Sequence, residues 1–505
     1  MINFIDNFLN KITMYRLVLY SLIVLLCVAA ALSLFGLLPY DFFDLILSTG
    51  FLLVVGLIAN WVFAKTFNAP ANVESVYISA LILALILSPV KGLDFAGYMF
   101  LFWAAVITMS SKFILAINKK HLFNPVAVAV AITSFTIGGY ASWWVGTAYM
   151  LPFVLIIGLL IVKKIKRGDL VFTFLITAIV TCLGIGIFKG SDIASLAKQA
   201  LLDSPLFFFA FVMLTEPLTT PPTKALQIWY GLIVGFLFAP QVNILGFHFA
   251  PELALAAGNI FSYLVSPKQK LMLALKQKIK LSPDIYNFIF QTDKKFKFIS
   301  GQYLEWTLGH QKPDSRGNRR YFTIASSPTE NEIIMGVKFY PEASSFKKSL
   351  MMMKPGDQIA AGQLAGDFTL TKDLNQKIVF IAGGIGVTPF RSMIKHLIDA
   401  GQKRPIVMFY ANKKPQDIVY KDVFDEAEQK LGLKTIYTLT QNTNNWAGEM
   451  GYINEQMIQS KLPDYKERMY YVSGPKTMID SFEKVLENLG VPQSHIKTDF
   501  FPGFV

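Results

Sequence analysis

Ile378-Val-Phe-Ile-Ala-Gly-Gly-Ile-Gly-Val-Thr-Pro389 decides how the second half of this chain folds. Its apolar opening reads as a strand buried on both faces. The glycines that follow permit a tight turn, and Pro389 suits the first turn of a helix. Strand, glycine-rich turn and helix in that order bring backbone amides and a helix N-terminus up to a pyrophosphate. The alternation continues outward. Ile406–Ala411, Lys434–Leu439 and Met469–Val472 read as strands, and Pro389–Ala400, Val423–Leu431, Ile453–Lys461 and Thr477–Leu489 as helices. This predicts a doubly wound parallel α/β sheet over 373–505 that binds a nucleotide. Upstream, Asp284–Thr292, Tyr303–Thr307, Tyr321–Ala325, Ile333–Phe339 and Gln358–Ala361 are short β-branched and aromatic runs separated by turns. They predict a small antiparallel β-barrel over 267–372.

Two further motifs flank this core. Arg320-Tyr-Phe-Thr-Ile-Ala-Ser-Ser-Pro328 places a cation, aromatics and hydroxyls on one strand and the turn after it. Arginine suits phosphate, an aromatic suits ring stacking, and a hydroxyl can bond a ring nitrogen. Tyr471-Val-Ser-Gly-Pro-Lys-Thr-Met478 is a strand ending in a tight turn. Ligands of open parallel sheets bind at that carboxyl edge.

The first half reads differently. The chain has 505 residues, 53% of them hydrophobic and only 16% charged. Residues 1–266 hold 14 Lys+Arg and 10 Asp+Glu, against 33 and 24 in residues 267–505. Apolar runs at 15–38, 42–64, 75–89, 95–111, 124–138, 147–162, 170–188, 205–215, 226–245 and 251–265 meet or approach the roughly 20 residues of a spanning helix. They predict a ten-helix polytopic α membrane domain over 1–266. The runs 75–89, 124–138 and 205–215 are short enough for broken or re-entrant helices.

Alternate loops carry Lys65, Lys112, Lys119, Lys120, Lys163, Lys164, Lys166, Arg167 and Lys224, and the flanks add Lys11, Arg16, Lys268 and Lys270. The opposite loops hold only Lys91, Lys189 and Lys198. This bias places both termini in the cytoplasm. Met1–Thr13 is polar and amphipathic, and no small-residue cleavage site follows the first apolar run, so no signal peptide is expected.

Prolines and amides stand at matching places in the two halves of this region, at Leu122-Phe-Asn-Pro125, Thr215–Thr223, Ala250-Pro-Glu-Leu253 and Gly258-Asn259. Such a pattern points to a repeat whose broken helices line a site. Glu216 is the acid to watch, since an ionisable group near membrane depth is usually buried with a partner. Neither half has the charge or the motifs of a nucleic-acid binder. The two cysteines, Cys27 and Cys182, are too few for an iron–sulfur cluster within this chain and lie in apolar runs. No metal site is expected.

Ser75–Pro89, Phe123-Asn-Pro125, Phe209–Pro222 and Pro251–Pro267 resemble the ten-helix, flavin-carrying membrane protein of the Rnf electron-transport complex and its counterpart in the sodium-translocating NADH:quinone reductase. The resemblance implies a membrane electron carrier, built from two related halves, that holds FMN or riboflavin. In that family an extracytoplasmic Ser-Gly-Ala-Thr loop bears a covalent FMN. The matching loop here, Gly190-Ser-Asp-Ile-Ala-Ser-Leu-Ala197, lacks the motif and offers Ser191 and Ser195 instead. Asn124, Glu216 and Thr219 are the other candidates for the membrane flavin.

The three motifs of the second half, in their order, resemble the ferredoxin–NADP reductase family, an FAD-binding barrel followed by a nicotinamide-nucleotide domain. The resemblance implies that Arg320 contacts the FAD pyrophosphate and that Tyr321 belongs to the cofactor strand. Phe322 would stack on the isoalloxazine, where the family usually has Tyr, and Thr323 would sit near flavin N5. Ser345 would hold the pyrophosphate, although the family's glycine three residues earlier is Glu342 here. Gly383, Gly384 and Gly386 would cradle the pyrophosphate of NADH or NADPH, with Thr388 towards the nicotinamide. Ser473 stands where many members have Cys, close to the hydride-transfer site, and Gly474 after it would also bind the cofactor. Asp499-Phe-Phe501 stands where members carry an acid and an aromatic at the flavin face, with either Phe500 or Phe501 covering the flavin. Lys413 or Lys414 could bind a 2′-phosphate, but the family's Ser–Arg pair is missing, which favours NADH.

Together the two resemblances imply an inner-membrane oxidoreductase. Electrons would pass from cytoplasmic NAD(P)H through FAD to membrane flavins, and on to a quinone or an extracytoplasmic acceptor protein. The competing expectations are an ion transporter regulated by NAD(P)H and a haem-type transmembrane reductase. For the second, His121 and His248 are the only histidines of the first 266 residues, and they do not pair at helical spacing.

Overall fold

A computed structural model of the protein describes residues 8–9, 12–67, 73–117, 120–244, 247–266, 271–291, 296–310, 313–314, 317–441 and 446–499. The chain divides into two compact units, Met1–Gln269 and Lys270–Val505.

The first unit is helical, and its order of elements repeats, with helix Ile193–Leu202 added in the second half. Helices Met14–Leu34, Phe42–Thr66, Val73–Ile86 and Phe95–Ile114 lead to a ribbon of two short strands, β1 (Ala116–Ile117) and β2 (Lys120–His121), and then to helix Pro125–Thr136. Helices Leu151–Ile165, Gly168–Phe188 and Ile193–Leu202, the segment Leu206–Met213 and helix Lys224–Phe238 follow. They lead to a second ribbon, β3 (Asn243–Ile244) with β4 (Phe247–His248), and to helix Pro251–Val265. His121 and His248 hold the same place in the two ribbons, each opposite the first residue of its partner strand. Proline opens the final helix of each half. The two proline-initiated helices pack on each other.

Each of the ten apolar stretches coincides with helix, but among the described residues four helices are long and apolar enough to cross a membrane: Met14–Leu34, Phe42–Thr66, Phe95–Ile114 and Gly168–Phe188. A fifth is reached if Ile193–Leu202 and Leu206–Met213, bent by 50°, count as one span. The others stop short for local reasons. Val73–Ile86 has 14 residues, or about 21 Å at 1.5 Å per residue, against a hydrocarbon layer of about 30 Å. Asn124 caps Pro125–Thr136 and ends it on the N-terminal side, its Oδ1 accepting from the amides of Val126 and Ala127.

Small residues decide which helices touch. A Cβ on Gly231 would lie 3.0 Å from Leu170 O, and one on Gly235 2.8 Å from Phe174 O. This Gly-x-x-x-Gly face lets Lys224–Phe238 lie backbone to backbone against Gly168–Phe188. The outward faces stay apolar. Val54, Ile58 and Trp61 follow one another along an exposed stripe of Phe42–Thr66, which suits lipid better than water.

The second unit opens with a six-stranded antiparallel sheet. Its strands are β5 (Leu271–Ser282), β6 (Ile285–Gln291), β7 (Tyr303–Thr307), β8 (Arg319–Thr323), β9 (Ile333–Lys338) and β10 (Gln358–Ala365), with helix Ser345–Met352 before the last. The order is β8-β7-β10-β5-β6-β9. Its ends meet where Ala325 N–H donates to Ile334 O at 2.8 Å, closing a barrel around Trp306, Phe288, Phe290 and Phe346.

A parallel sheet follows, with strands β11 (Ile378–Gly383), β12 (Ile406–Asn412), β13 (Lys434–Leu439), β14 (Glu449–Met450), β15 (Met469–Ser473) and β16 (Ile496–Asp499). The order is β14-β13-β12-β11-β15-β16, every pair parallel. All of β11 is buried, as its apolar run requires. Strand order reverses between β11 and β15, which opens a crevice at their carboxyl ends.

Candidate functional site

β8 carries the first group of side chains. It spans Arg319–Thr323 and so begins and ends two residues earlier than the sequence pattern suggests. Residues two apart on a strand share a face. Arg320 and Phe322 both meet Phe346, the guanidinium 5.3 Å from its ring centre and the Phe322 ring 6.1 Å away. Tyr321 points the other way, its hydroxyl donating to Glu305 Oε2 at 2.7 Å and its ring edge-on to Tyr303. Thr323 is buried at the end of the strand, opposite Tyr303.

Arg320 is only 7% exposed. Its Nη1 donates to the carbonyls of Gly317 (3.2 Å) and Arg319 (2.6 Å), and its Nη2 to Asp314 Oδ1 (3.4 Å). The other oxygen of Asp314 accepts from Ser345 N–H at 2.9 Å, in the first turn of helix Ser345–Met352. Ser345 Oγ accepts from the Asp314 amide at 2.9 Å and lies 3.0 Å from His310 Nε2. An anionic group thus sits between a buried guanidinium and a helix N-terminus, the pairing that favours phosphate. The Asp314 carboxylate marks an anion slot whose donors fit the diphosphate of a dinucleotide. Asp314 and His310 belong to no helix or strand, and no residue pattern announced them.

The second group lies in the crevice of the parallel sheet. Gly384 has φ of +52°, a left-handed conformation open to glycine. A Cβ on Gly386 would stand 2.6 Å from both Gly474 Cα and Ser473 O, and one on Gly383 2.1 Å from Met478 Sδ. The turns after β11 and β15 therefore touch backbone to backbone, which brings Gly383, Gly384, Gly386, Ser473 and Gly474 into one cradle. Thr388 opens helix Thr388–Asp399, its Oγ1 donating to Ile385 O at 3.2 Å. It also meets the barrel, since a Cβ on Gly336 of β9 would lie 2.8 Å from Thr388 Cγ2 and 2.6 Å from the Tyr420 hydroxyl. Burial pushes the Tyr420 hydroxyl well above the usual phenol range, so it stays protonated and donates to Asn287 Oδ1 at 2.6 Å. Lys413 and Lys414 are exposed after β12. Phe500 and Phe501 lie outside the described residues.

A third group lies in the helical unit. Asn124 Nδ2 donates to Glu216 Oε2 at 2.8 Å, and Thr219 Oγ1 donates to the same oxygen at 3.3 Å. The Asn124 amide donates to Asn259 Oδ1 at 2.8 Å, and Asn259 Nδ2 donates to the Tyr230 hydroxyl at 3.0 Å. Asn124, Thr219, Asn259 and Tyr230 are buried and Glu216 is half-buried. Three of the five residues expected at a membrane flavin thus converge, and the cluster joins the two halves of the repeat. Ser191 and Ser195 stand apart from it. Both are exposed, and the Ser195 amide donates to Asp192 Oδ2 as a helix cap. Tyr230 escaped the sequence reading because it sits in an ordinary apolar run.

Residues 380–484 match the family model described as the oxidoreductase NAD-binding domain. NADH-cytochrome b5 reductase 1 of Ajellomyces capsulatus is 26% identical over 251 residues, 47% of this chain and 81% of that protein. The glycine betaine monooxygenase reductase subunit of Chromohalobacter salexigens is 24% identical over 225 residues, 43% of this chain and 60% of that one. Among solved structures, the cytochrome b5 reductase domain of Ulva prolifera nitrate reductase matches with a TM-score of 0.41 and 22% identity, covering 46% of this chain and 98% of that one. The carboxy-terminal unit is a ferredoxin-reductase-type module for FAD and NAD(P)H. The protein is accordingly an NAD(P)H-dependent flavin oxidoreductase.

Proposed function

We propose that this protein is a multi-pass oxidoreductase of the cytoplasmic membrane with both termini in the cytoplasm. It passes electrons from NAD(P)H through FAD to one or more flavins, FMN or riboflavin, in the helical unit, and on to a quinone or an extracytoplasmic acceptor. The observation that supports this beyond the flavin module is the buried cluster of Asn124, Glu216, Thr219, Asn259 and Tyr230. A polar site linking two helical repeats is where membrane carriers hold their ligands.

FAD held here would supply acceptance of a hydride from NAD(P)H and one-electron release. The chain's part is alignment and electrostatics. Arg320 and the Ser345 amide would hold the diphosphate, and Phe322 and Thr323 would border the ring system. Gly383, Gly384, Gly386 and Gly474 would let the second nucleotide's pyrophosphate come close to backbone amides, with Thr388 and Ser473 towards its nicotinamide. In the helical unit, Asn124 and Asn259 offer amide donors to the polar edge of a flavin. NADH is the preferred donor, a choice supported by relatives named for NADH.

Mass spectrometry of flavins released by denaturation tests the relay. The expected result is FAD plus a second flavin species, the second lost on Asn124→Ala or Glu216→Gln together with quinone reduction. FAD as the sole flavin, with quinone reduction intact in both variants, would remove the relay and leave the NADH–FAD module standing.

A further inference from the structure

Helix Thr388–Asp399 also grips the barrel. Arg391, Lys395 and Asp399 recur every four residues and fall on one face. That face meets segment 325–330, which follows β8. The Arg391 guanidinium, on a residue 8% exposed, forks onto the Glu330 carboxylate, with Nη2 donating to Oε1 at 2.8 Å and Nη1 to Oε2. Nη1 also donates to Ala325 O at 3.0 Å. The neighbouring Ser392 Oγ donates to Ser326 O at 2.6 Å. At the far end of the helix the Asp399 carboxylate accepts from Thr329 Oγ1 and is held by Lys395. The helix thus holds a six-residue segment through Ala325, Ser326, Thr329 and Glu330.

Both gripped elements start beside the chemistry. The segment begins two residues after Thr323, and the helix begins at Thr388. Gly336 marks how closely the two sides approach there, because no side chain fits between β9 and Thr388. A bidentate guanidinium–carboxylate pair has a fixed planar geometry that a lysine cannot reproduce.

We propose that Arg391, through Glu330, is a positioning residue for hydride transfer, fixing the separation between the end of the flavin strand and the start of the nicotinamide helix. This rests on the reading of Thr323 and Thr388 as the flavin-side and nicotinamide-side residues. Neither Arg391 nor Glu330 touches the reacting atoms.

The test uses the FAD-loaded full chain and the variants Arg391→Met, Arg391→Lys, Glu330→Gln and the exchange of Arg391→Glu with Glu330→Arg. Four quantities are read: FAD content, melting temperature, the single-turnover rate of flavin reduction by NADH, and the long-wavelength charge-transfer absorbance between reduced flavin and NAD+. Misplacement by about 1 Å costs about 100-fold in rate, so Arg391→Met is expected to slow reduction by about that factor and to lose the charge-transfer band while keeping its FAD. Arg391→Lys and Glu330→Gln fall between, and the exchange recovers part of both signals. Variants that melt earlier yet keep the wild-type rate and band would overturn the proposal, leaving the pair a structural tie. Arg391→Lys identical to wild type in rate and band would overturn it as well. A wild-type protein whose FAD is not reduced by NADH or NADPH would instead sink the reading of the site on which the proposal rests.

Discussion

Asp314 shows how much a single side chain can decide. Its carboxylate lies in the slot proposed for the FAD diphosphate, bound by Arg320 and the Ser345 amide. Two anions cannot share that slot, so cofactor binding must displace the carboxylate. Asp314→Asn is therefore expected to tighten FAD binding by about tenfold, or about 1.4 kcal/mol, while Arg320→Ala weakens it. Fluorescence titration of FAD into the apoprotein measures both, and weaker binding by Asp314→Asn would refute the displacement. Asp464 gives a test of pH. Its carboxylate is gripped by Arg468 (Nε 2.7 Å, Nη2 3.1 Å) and lies 2.9 Å from Lys377 Nζ. The hydrogen bond from Arg468, then that from Lys377, holds its pKa at about 2 against an ordinary 3.8. A depressed acid contributes stability above the unfolded-state value and loses it as pH falls through the folded one. Asp464→Asn should thus cost at most about 1 kcal/mol at pH 7, since the pair is solvent-screened, and the gap should close between pH 4 and pH 2. Equilibrium denaturation at pH 7 and pH 2 reads this, and an unchanged gap at pH 2 would refute it.

At the scale of elements, the turns after β11 and β15 are one unit because glycine lets them touch. Gly386→Ala puts a methyl 2.6 Å from backbone atoms on the facing turn, and backbone cannot swing aside as a side chain can. The variant is expected to raise KM for NADH about tenfold or more, about 1.4 kcal/mol, with FAD content unchanged because the barrel is not involved. An unaltered KM would mean that the pyrophosphate does not enter between these turns. The same turn shows why parts of the site were legible in the chain. Gly383, Gly384 and Gly386 follow a strand and precede a helix, so local pattern alone carries their place in the turn. β5 was hidden for a local reason too. Lys276, Lys278 and Lys280 make Leu271–Ser282 look like a polar linker, although the strand pairs with β6 along most of its length. Arg391 and Glu330 are 61 residues apart, and Asn124 and Asn259 are 135 apart. Hydropathy and propensity act over a few residues, so such pairings leave no trace in either partner's neighbourhood. Hydropathy placed helix at all ten apolar stretches but could not say where proline and capping asparagine cut them short.

For the whole molecule, the decisive fact is that each unit has its own core. Leu22, Leu83, Ala104, Phe174, Phe209 and Tyr230 belong to one continuous cluster within Met1–Gln269. The second unit has separate clusters around Trp306 in the barrel and on the two faces of the parallel sheet. Burial of apolar surface is the main force in each. Cooperative unfolding follows the core, so calorimetry of the full chain in detergent should give two transitions. A ligand stabilises only the unit that binds it, by about 2.7 kcal/mol when present at about 100 times its Kd. Added FAD should therefore raise one transition by several degrees and leave the other in place. Arg320→Ala should abolish that rise without moving the second transition. A flavin seated at the Asn124–Glu216 cluster should do the converse, with riboflavin or FMN raising the transition that FAD leaves alone, and Glu216→Gln removing the effect. A single transition moved as a whole by FAD would mean that the two units unfold as one body.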